Sequence, residues 1–529
     1  MRDDRGAEAW APERERQMVT VARNVATRYL AIIVEIAIGL VLLPLNLAYL
    51  GQAQYGLWML VGSVTIHFSL LDLGYAGALV KFMAQYRAHR NARALNEIAS
   101  TLFFVFAGIG LLAYAAAAGI AFNLEHLFRI TPAQAETGKW ITLIIGAYVA
   151  LNFPFSVYGG VMAGFQRYDA NNLVAVITSL TAAGVNAAVI FAGGDLVTLV
   201  ACTTGVRVLA FVVYRLNAYR IFPELRLSPR LFRMGRLREV TGFSIYSSII
   251  DWANKLNYQL DEIVIGVFMG APAVAVWAVA ERIISGTQRL TNQLNGVLFP
   301  VVVDSDASRR QERLQQILLQ GTRLSLAMVL PIAAALILLA DPLLRAWLGS
   351  AGAPAVLGAV PVIQILAVAV AIRVGNATGT TVLKGAGSHR MLAFVNLATG
   401  IVNIALSVAL VGAYGLTGVA VGTLIPIAAS SMFILYPAAC RRVGLPVGHA
   451  IVESVLPAIW PALVVIGLGF WLSRSLPSGT LLAVVLQAVA GGALYLALFF
   501  AVAIGRRDRA LYTAKALELL GRRGVPSAA

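Results

Sequence analysis

Residues 98–122 read IASTLFFVFAGIGLLAYAAAAGIAF, a run of 25 residues without one charged side chain. A helix of about 20 residues is enough to cross a hydrocarbon core that is ~30 Å thick. Within lipid every backbone amide must find its hydrogen-bond partner inside the protein, which requires such a run to be helical. The sequence therefore predicts a transmembrane helix at this position.

Comparable apolar runs recur along the whole chain. Of the 529 residues, 59% are hydrophobic and only 12% are charged, and the mean hydropathy is +0.78. Soluble domains carry about 25% charged residues, so this chain lacks the polar surface that a soluble protein of its length needs. We predict an all-α integral membrane protein with about 14 transmembrane helices, at residues 28–50, 56–80, 98–122, 140–163, 172–193, 196–215, 243–269, 273–300, 321–341, 357–383, 392–411, 415–437, 454–473 and 480–504.

The distribution of positive charge predicts the topology. A net charge of +16 is compatible with nucleic-acid binding, but most of the 41 Lys and Arg residues fall in the tails and loops of one side. The other side holds only Arg129, Lys139, Arg345 and Arg474. This asymmetry is the positive-inside pattern, so it predicts cytoplasmic termini and no nucleic-acid partner. Residues 1–27 are polar and contain no apolar signal-peptide region.

The chain contains a weak internal repeat. Residues 49–58 match 268–277, and residues 180–186 match 397–403 at nearly the same offset. The repeat predicts two six-helix halves, 28–215 and 243–437, after an N-terminal tail at 1–27. A basic cytoplasmic linker (216–242), helices 13 and 14 (438–504) and a basic tail (505–529) complete the organisation. Duplicated halves are common in transporters, which hold substrate between them, although chance similarity is the alternative in so apolar a sequence.

Motifs of enzymes are missing from the sequence. It contains no GxxxxGK[ST] phosphate loop, no GxSxG and no HExxH, and no predicted outer loop is long enough for a catalytic domain. Cys202 and Cys440 are far apart and lack the spacing of metal ligands. We therefore predict that the protein is not an enzyme and uses neither a cofactor nor a metal.

Charged residues nevertheless recur inside the predicted spans, where each costs roughly 3 kcal/mol at the bilayer centre. Residues that follow one another by alternate steps of three and four positions share one helix face. Such stripes are Asp251, Lys255, Tyr258 and Glu262 in one span, Arg282, Ser285, Arg289 and Asn292 with Glu281 beside them in the next, and Arg373, Asn376 and Thr380 in a third. These faces are predicted to line a hydrated cavity between the halves.

The cations of the spans indicate an anionic ligand, because Arg binds phosphate bidentately and Lys acts as a point charge. The candidate substrate-binding residues are Lys255, Arg289, Arg373, Arg282, Arg207 and Arg28. The candidates for coupling to H+ or Na+, or for neutralising the arginines, are Asp72, Asp251, Glu262, Glu281 and Glu35. The alternative for each is a structural ion pair or interhelical hydrogen bond, and snorkelling to the inner interface is favoured for Arg28 and Arg323.

The basic linker has a second interpretation. Residues 227–240 (LSPRLFRMGRLREV) place four apolar side chains among four arginines. This pattern predicts a short amphipathic helix on the inner leaflet, whereas the simpler alternative is a topological anchor without another role.

Two motifs resemble a known family. The first motif looks like the first helical hairpin of bacterial polysaccharide flippases, and it comprises residues 49–58 (YLGQAQYGLW) and 70–74 (LLDLG). The second motif is similar to the loop between helices 4 and 5 of these flippases, and it comprises residues 164–169 (GFQRYD), Asn171 and Asn172. These flippases belong to the multidrug/oligosaccharidyl-lipid/polysaccharide exporter superfamily. The resemblance implies a multi-pass protein of the bacterial inner membrane with two six-helix bundles and a cationic central cavity.

The same resemblance implies the substrate and the partners. The expected substrate is an undecaprenyl-pyrophosphate-linked oligosaccharide, exported for surface polysaccharide or lipopolysaccharide biosynthesis, and polysaccharide polymerase or assembly proteins are candidate partners. Relatives that flip the peptidoglycan precursor and relatives that export drugs share the architecture, so both remain alternatives. Helices 13 and 14 and the basic cavity favour a lipid-linked anion.

Overall fold

The computed structural model describes residues 14–242, 244, 260–472, 479–503 and 509. Every regular element in these ranges is helical. Helices of eight or more residues are numbered α1 (Arg14–Ile66), α2 (Tyr75–Ala88), α3 (Ala92–Phe122), α4 (Pro132–Gly164), α5 (Tyr168–Phe191), α6 (Leu196–Ile221), α7 (Asp261–Phe268), α8 (Ala271–Ala307), α9 (Gln311–Val356), α10 (Ala359–Gly375), α11 (Ala377–Gly385), α12 (His389–Ala429), α13 (Leu456–Leu472) and α14 (Leu481–Leu498). The prediction of an all-helical protein is confirmed.

Ten helical segments in the described residues are long and apolar enough to span a membrane. Two of them, Ala26–Asp72 and Arg390–Arg442, contain 47 and 53 residues, about twice the length that one crossing needs. Each contains a glycine with a left-handed backbone, Gly51 in α1 and Gly415 in α12. The chain is thus a multi-pass membrane protein.

The predicted span 56–80 is not one continuous helix. A 3-10 turn occupies His67–Asp72, and the next two residues, Leu73 and Gly74, have φ of 52° and 71°. The Asp72 carboxylate accepts a hydrogen bond from the Ala76 backbone N–H at 3.2 Å, so it caps the start of α2. Side-chain capping and a glycine that tolerates positive φ explain the break, which helical periodicity does not reveal.

The chain divides into two compact units. The first comprises Met1–Val279 with Asn396–Val419, and the second comprises Ala280–Val395 with Ala420–Ala529. In the first unit, Phe106 and Met83 lie in a fully buried core where α2, α3 and α4 pack together. In the second, Leu318 and Cys440 belong to a buried cluster. The boundaries of the two predicted six-helix halves, 28–215 and 243–437, differ from the boundaries of these compact units. The internal repeat therefore stays a prediction.

The basic linker packs against the first unit. Its backbone is held by side chains of the first turns of α3: Asn96 bonds Glu224 and Arg226, Ser100 bonds Arg226 and Ser228, and Thr101 bonds Arg233. The side chain of Val240 is fully buried and Leu237 packs against the same core. The expectation that the apolar residues of 227–240 rest on the lipid surface is therefore wrong for Leu237, because buried polar groups of α3 turn the linker toward the protein.

The Glu97 carboxylate of α3 forms ion pairs with arginines of the linker. Its side chain is only 11% exposed, and its oxygens lie 3.1 Å from Arg93 Nε, 3.3 Å from Arg236 Nε and 3.9 Å from Arg233 Nε. The Tyr86 hydroxyl accepts from Arg236 and donates to Glu239, and burial followed by that bond to Glu239 raises the pKa of Tyr86 to about 12. The linker is thus anchored by one shielded carboxylate shared among three arginines.

Replacing Glu97 with Gln should destabilise the protein. The change keeps the volume but removes the charge that holds Arg233 and Arg236, and hydrogen bonds to charged groups contribute roughly 1.5–3 kcal/mol each. The melting temperature of the purified protein in detergent should therefore fall clearly. Glu136→Gln is the matched control, because Glu136 is 63% exposed beside Lys139 and such surface pairs contribute about 0–1 kcal/mol. Equal changes in the two variants would contradict the anchoring role of Glu97.

Candidate functional site

Two of the predicted spans contact each other in the second unit. Arg373 Nη1 of α10 donates a hydrogen bond to Gln288 Oε1 of α8 at 3.3 Å. Both side chains are half-buried. The contact joins span 357–383 to span 273–300, whereas the hydrated cavity that their polar stripes predict stays a prediction.

Arg373 lies near the C-terminal end of α10. α10 ends at Gly375, and Asn376 separates it from α11, so Arg373 lies in the last turn of α10. A cation in the last turn of a helix is favoured by the partial negative charge of the helix C-terminus. The break is closely packed, because a Cβ on Gly375 would lie 2.7 Å from the Leu326 side chain. Arg373 is therefore a cation held in a defined place within a membrane-spanning segment.

The other candidate residues differ in their exposure. Arg28, Arg207 and Arg282 are exposed, as is Glu35. Asp72, Glu262 and Glu281 are half-buried. Lys255 and Asp251 lie outside the described residues, and Arg289 falls in α8 with its side chain outside them. Their roles therefore remain predictions.

Arg323 differs from the expectation. Snorkelling to the interface was favoured, but this residue is 8% exposed and its Nε and Nη2 donate to the Glu453 carbonyl oxygen at 3.0 and 2.6 Å. The acceptor lies in a π-helical turn, Ile451–Val455, next to the start of α13. A π turn changes which backbone groups are hydrogen-bonded to each other. The Arg323 guanidinium donates its hydrogen bonds to a carbonyl oxygen of this irregular turn. Arg323 thus ties α9 to the segment before α13.

The loop 164–169 holds the start of the first span. The Asn24 side chain of α1 donates to the Gln166 carbonyl at 3.0 Å and accepts from the Asp169 N–H at 2.8 Å. The Asp169 carboxylate lies 3.0 Å from Arg23 Nε and 3.1 Å from Arg167 Nε. We call residues 164–169 with Asn24 the helix-1 clamp. Residues 164–169 carry the family resemblance, but no spacing in the sequence links positions 24 and 169.

A half-buried cation lies against this clamp. The Arg87 guanidinium of α2 sits 5.7 Å from the centre of the Phe165 ring, which itself stacks on Phe222 at 5.3 Å. Burial lowers the pKa of Arg87 from its usual value. No carboxylate of the described residues lies within salt-bridge distance of Arg87. Its charge is therefore partly removed from water without a neighbouring negative charge.

The opposite end of the first unit contains a tight backbone contact, which we call the hairpin seam. A Cβ added at Gly56 of α1 would overlap the carbonyl of Ala271 at the start of α8, and Gln52 Nε2 donates to the Pro272 carbonyl at 3.0 Å. The Arg129 N–H donates to the Gly266 carbonyl at 3.3 Å. The two hairpins that the repeat relates, 49–58 and 268–277, thus touch each other. Gly51 and Gly270, which are equivalent in the repeat, both have positive φ.

Nothing in the described residues forms a metal site, since no three His, Cys, Asp or Glu side chains cluster there as ligands. Cys202 is exposed and Cys440 is buried, each as a free thiol.

The fold is similar to the folds of solved helical membrane proteins. It is similar to a solved inward-facing multidrug resistance MATE family transporter of the MOP superfamily, with a TM-score of 0.64 and 15% identity over 77% of this chain and 94% of that one. It is also similar to the lipid II flippase MurJ in an inward closed conformation, with a TM-score of 0.69 and 14% identity over 90% and 98% of the two chains. These likenesses define the fold.

The sequence then gives the family. The profile of the polysaccharide biosynthesis protein family matches residues 21–305, more than half of the chain, and that of the MatE family matches residues 255–409. The chain belongs to the polysaccharide biosynthesis protein family and, with it, to the multidrug/oligosaccharidyl-lipid/polysaccharide exporter superfamily. A full-length relative, the probable flippase AglR of Haloferax volcanii, is 21% identical over 93% of this chain and 98% of its own length.

Proposed function

We propose that this protein is a flippase that carries a polyprenyl-pyrophosphate-linked oligosaccharide across the bacterial inner membrane for surface polysaccharide or lipopolysaccharide biosynthesis. The observation that carries the proposal is Arg373, a half-buried cation at the end of α10 that contacts the polar face of α8. A fixed cation inside a membrane-spanning segment is favourable for an anionic headgroup and unfavourable for a cationic drug. Membership of the polysaccharide biosynthesis protein family supports the same class of substrate.

The proposed mechanism is alternating access. The pyrophosphate contacts Arg373 and, by their place in the sequence, Lys255, Arg289, Arg282, Arg207 and Arg28, while the lipid tail stays in the bilayer. The glycan needs a hydrated path, which the polar stripes provide. The hairpin seam between 49–58 and 268–277 is at the side that the charge pattern predicts to be external, so release requires it to part. The protein moves its substrate without breaking a bond and is therefore not an enzyme.

The proposed topology has fourteen crossings with both termini in the cytoplasm. The two long segments Ala26–Asp72 and Arg390–Arg442 would each provide two of them, divided at Gly51 and Gly415. An accessibility tag at residue 235 should report the cytoplasm, and a tag at residue 133 should report the outside. An external signal at 235 contradicts this topology.

Deletion of the gene separates this proposal from drug export. The deletion strain should lose surface glycan and accumulate the lipid-linked precursor on the inner leaflet, because flipping precedes assembly outside. Sensitivity to cationic dyes with normal surface glycan would favour the drug exporter. Accumulation of the peptidoglycan precursor instead, with arrest of growth, would favour the peptidoglycan alternative. Re-expression of the wild-type chain is the control for each phenotype.

A further inference from the structure

The helix-1 clamp carries more positive charge than its structural contacts use. Asp169 alone faces both Arg23 and Arg167, whose side chains are 48% and 45% exposed. Arg87 adds a third cation against Phe165 of the same loop. Among the described residues that contact this loop, three guanidiniums and one carboxylate leave a local surplus of two positive charges.

Arg87 is the most informative of these cations. Its guanidinium lies over the Phe165 ring, and burial depresses its pKa, yet no carboxylate of the described residues reaches it. Holding a cation partly out of water costs free energy unless an opposite charge offsets the loss. A cation–π contact offsets about 0.5–1 kcal/mol at a partly exposed site. A bound anion would compensate the desolvation of Arg87 more completely.

Contacts of one loop place Arg87 and Arg167 near each other along the fold. Phe165 belongs to the clamp that holds Asn24 and Asp169, and a Cβ on Gly164 would overlap Met83 of α2, so the loop is pressed against the helix that carries Arg87. Arg167 thus belongs to the same short loop whose Phe165 ring contacts Arg87. Both lie at the end of the unit that the charge pattern predicts to be cytoplasmic.

We propose that Arg87, Arg167 and Arg23 around the helix-1 clamp form a docking site for a diphosphate headgroup at the inner membrane surface, separate from Arg373. A diphosphate diester carries one negative charge on each phosphate, which equals the local surplus. Arginine suits the task because its planar guanidinium bonds phosphate oxygens in pairs. The site would collect the lipid-linked substrate before it enters the membrane interior, so the assignment of this ligand rests on the proposed function.

Binding of inorganic pyrophosphate to the full-length protein tests the site. The protein is placed in nanodiscs of zwitterionic phosphatidylcholine, and pyrophosphate is titrated by calorimetry at constant ionic strength. Arg87→Ala should weaken binding about tenfold or more, as expected for the loss of a charge-assisted hydrogen bond. Arg313→Ala is the matched control, because Arg313 is an exposed arginine of α9 far along the chain and should leave binding unchanged. Equal affinity in wild type and Arg87→Ala overturns the proposal.

A second variant keeps the test valid if Arg87→Ala folds poorly. Asp169→Asn removes the only carboxylate of the clamp and frees Arg23 and Arg167, so pyrophosphate should bind more tightly. A purely structural clamp predicts no gain, and weaker binding contradicts the site.

Competition distinguishes the sources of the diphosphate. Polyprenyl pyrophosphate added to the nanodiscs should displace free pyrophosphate, whereas phosphatidylglycerol, with one phosphate, should displace it only at much higher content. Failure of the polyprenyl lipid to compete, or equal competition by phosphatidylglycerol, contradicts the lipid diphosphate assignment.

If wild type binds pyrophosphate but moves no lipid-linked glycan, the proposed function fails and the site stands. If glycan moves but Arg87→Ala binds normally, only the site fails.

Discussion

Gly56→Ala should lower the melting temperature of the purified protein, because the added methyl group would overlap the backbone carbonyl of Ala271. The obstacle is backbone rather than a flexible side chain, so α1 and the start of α8 must move apart. Overpacking of this kind typically costs 1–3 kcal/mol, and a larger residue such as Leu should cost more. Since Gln52 bonds the next carbonyl, that of Pro272, the same shift should also weaken this hydrogen bond.

Gly62→Ala provides the control on the same helix. A Cβ at Gly62 meets no atom within 4 Å, and Gly62 has an ordinary helical backbone. Alanine is favoured over glycine inside a helix by about 1 kcal/mol, so this variant should be neutral or more stable. The two substitutions should thus change stability in opposite directions. Equal melting temperatures for both variants would show that the hairpin seam is not tightly packed in solution.

Arg373→Ala should reduce transport by about 10- to 100-fold at unchanged membrane abundance. Loss of a charge-assisted hydrogen bond to a buried phosphate costs roughly 1.5–3 kcal/mol, and each 1.4 kcal/mol corresponds to a factor of ten. Arg373→Lys should retain part of the activity, because it keeps the charge but loses the bidentate geometry. The measurement is the rate of glycan appearance in the outer leaflet, normalised to the amount of inserted protein.

Gln288→Ala separates substrate binding from a structural role of Arg373. The variant removes the acceptor that Arg373 contacts on α8 but leaves the cation in place. If Arg373 serves the substrate, Gln288→Ala should lower transport much less than Arg373→Ala. If the pair only holds two helices together, both variants should lose transport to the same extent, together with their thermal stability. Wild-type transport by Arg373→Ala removes this arginine from the mechanism.

The sequence was sufficient to predict the helices because the requirement for them is local. Residues 98–122 fall inside α3, and 196–215 fall inside α6. Lipid demands a long apolar run with internal hydrogen bonds, and both properties can be read from consecutive residues. The break at His67–Asp72 escaped this reasoning, because it depends on the capping bond from Asp72 and on Leu73 with a left-handed backbone.

Tertiary contacts account for the other differences. Arg323 was assigned to the interface because a lone cation in a span is costly, but the Glu453 carbonyl in a π turn compensates it. The inward packing of Leu237 follows from the polar side chains of α3 that hold the linker backbone. Helical spacing identified the polar faces of 273–300 and 357–383 but did not predict the contact between Gln288 and Arg373. Helical spacing could not predict the cation–π contact between Arg87 and Phe165, because the two residues lie 78 positions apart in different helical regions.

The central claim is that this chain moves a lipid-linked glycan between leaflets without changing it. The purified protein is reconstituted into liposomes with a fluorescent polyprenyl-pyrophosphate oligosaccharide, and its exposure on the outer leaflet is followed by an added glycan-cleaving enzyme. Compared with protein-free liposomes and with Arg373→Ala, wild type should expose the glycan faster and return it chemically intact. Glycan exposure at the protein-free rate, or the appearance of longer glycans or released pyrophosphate, would contradict the account.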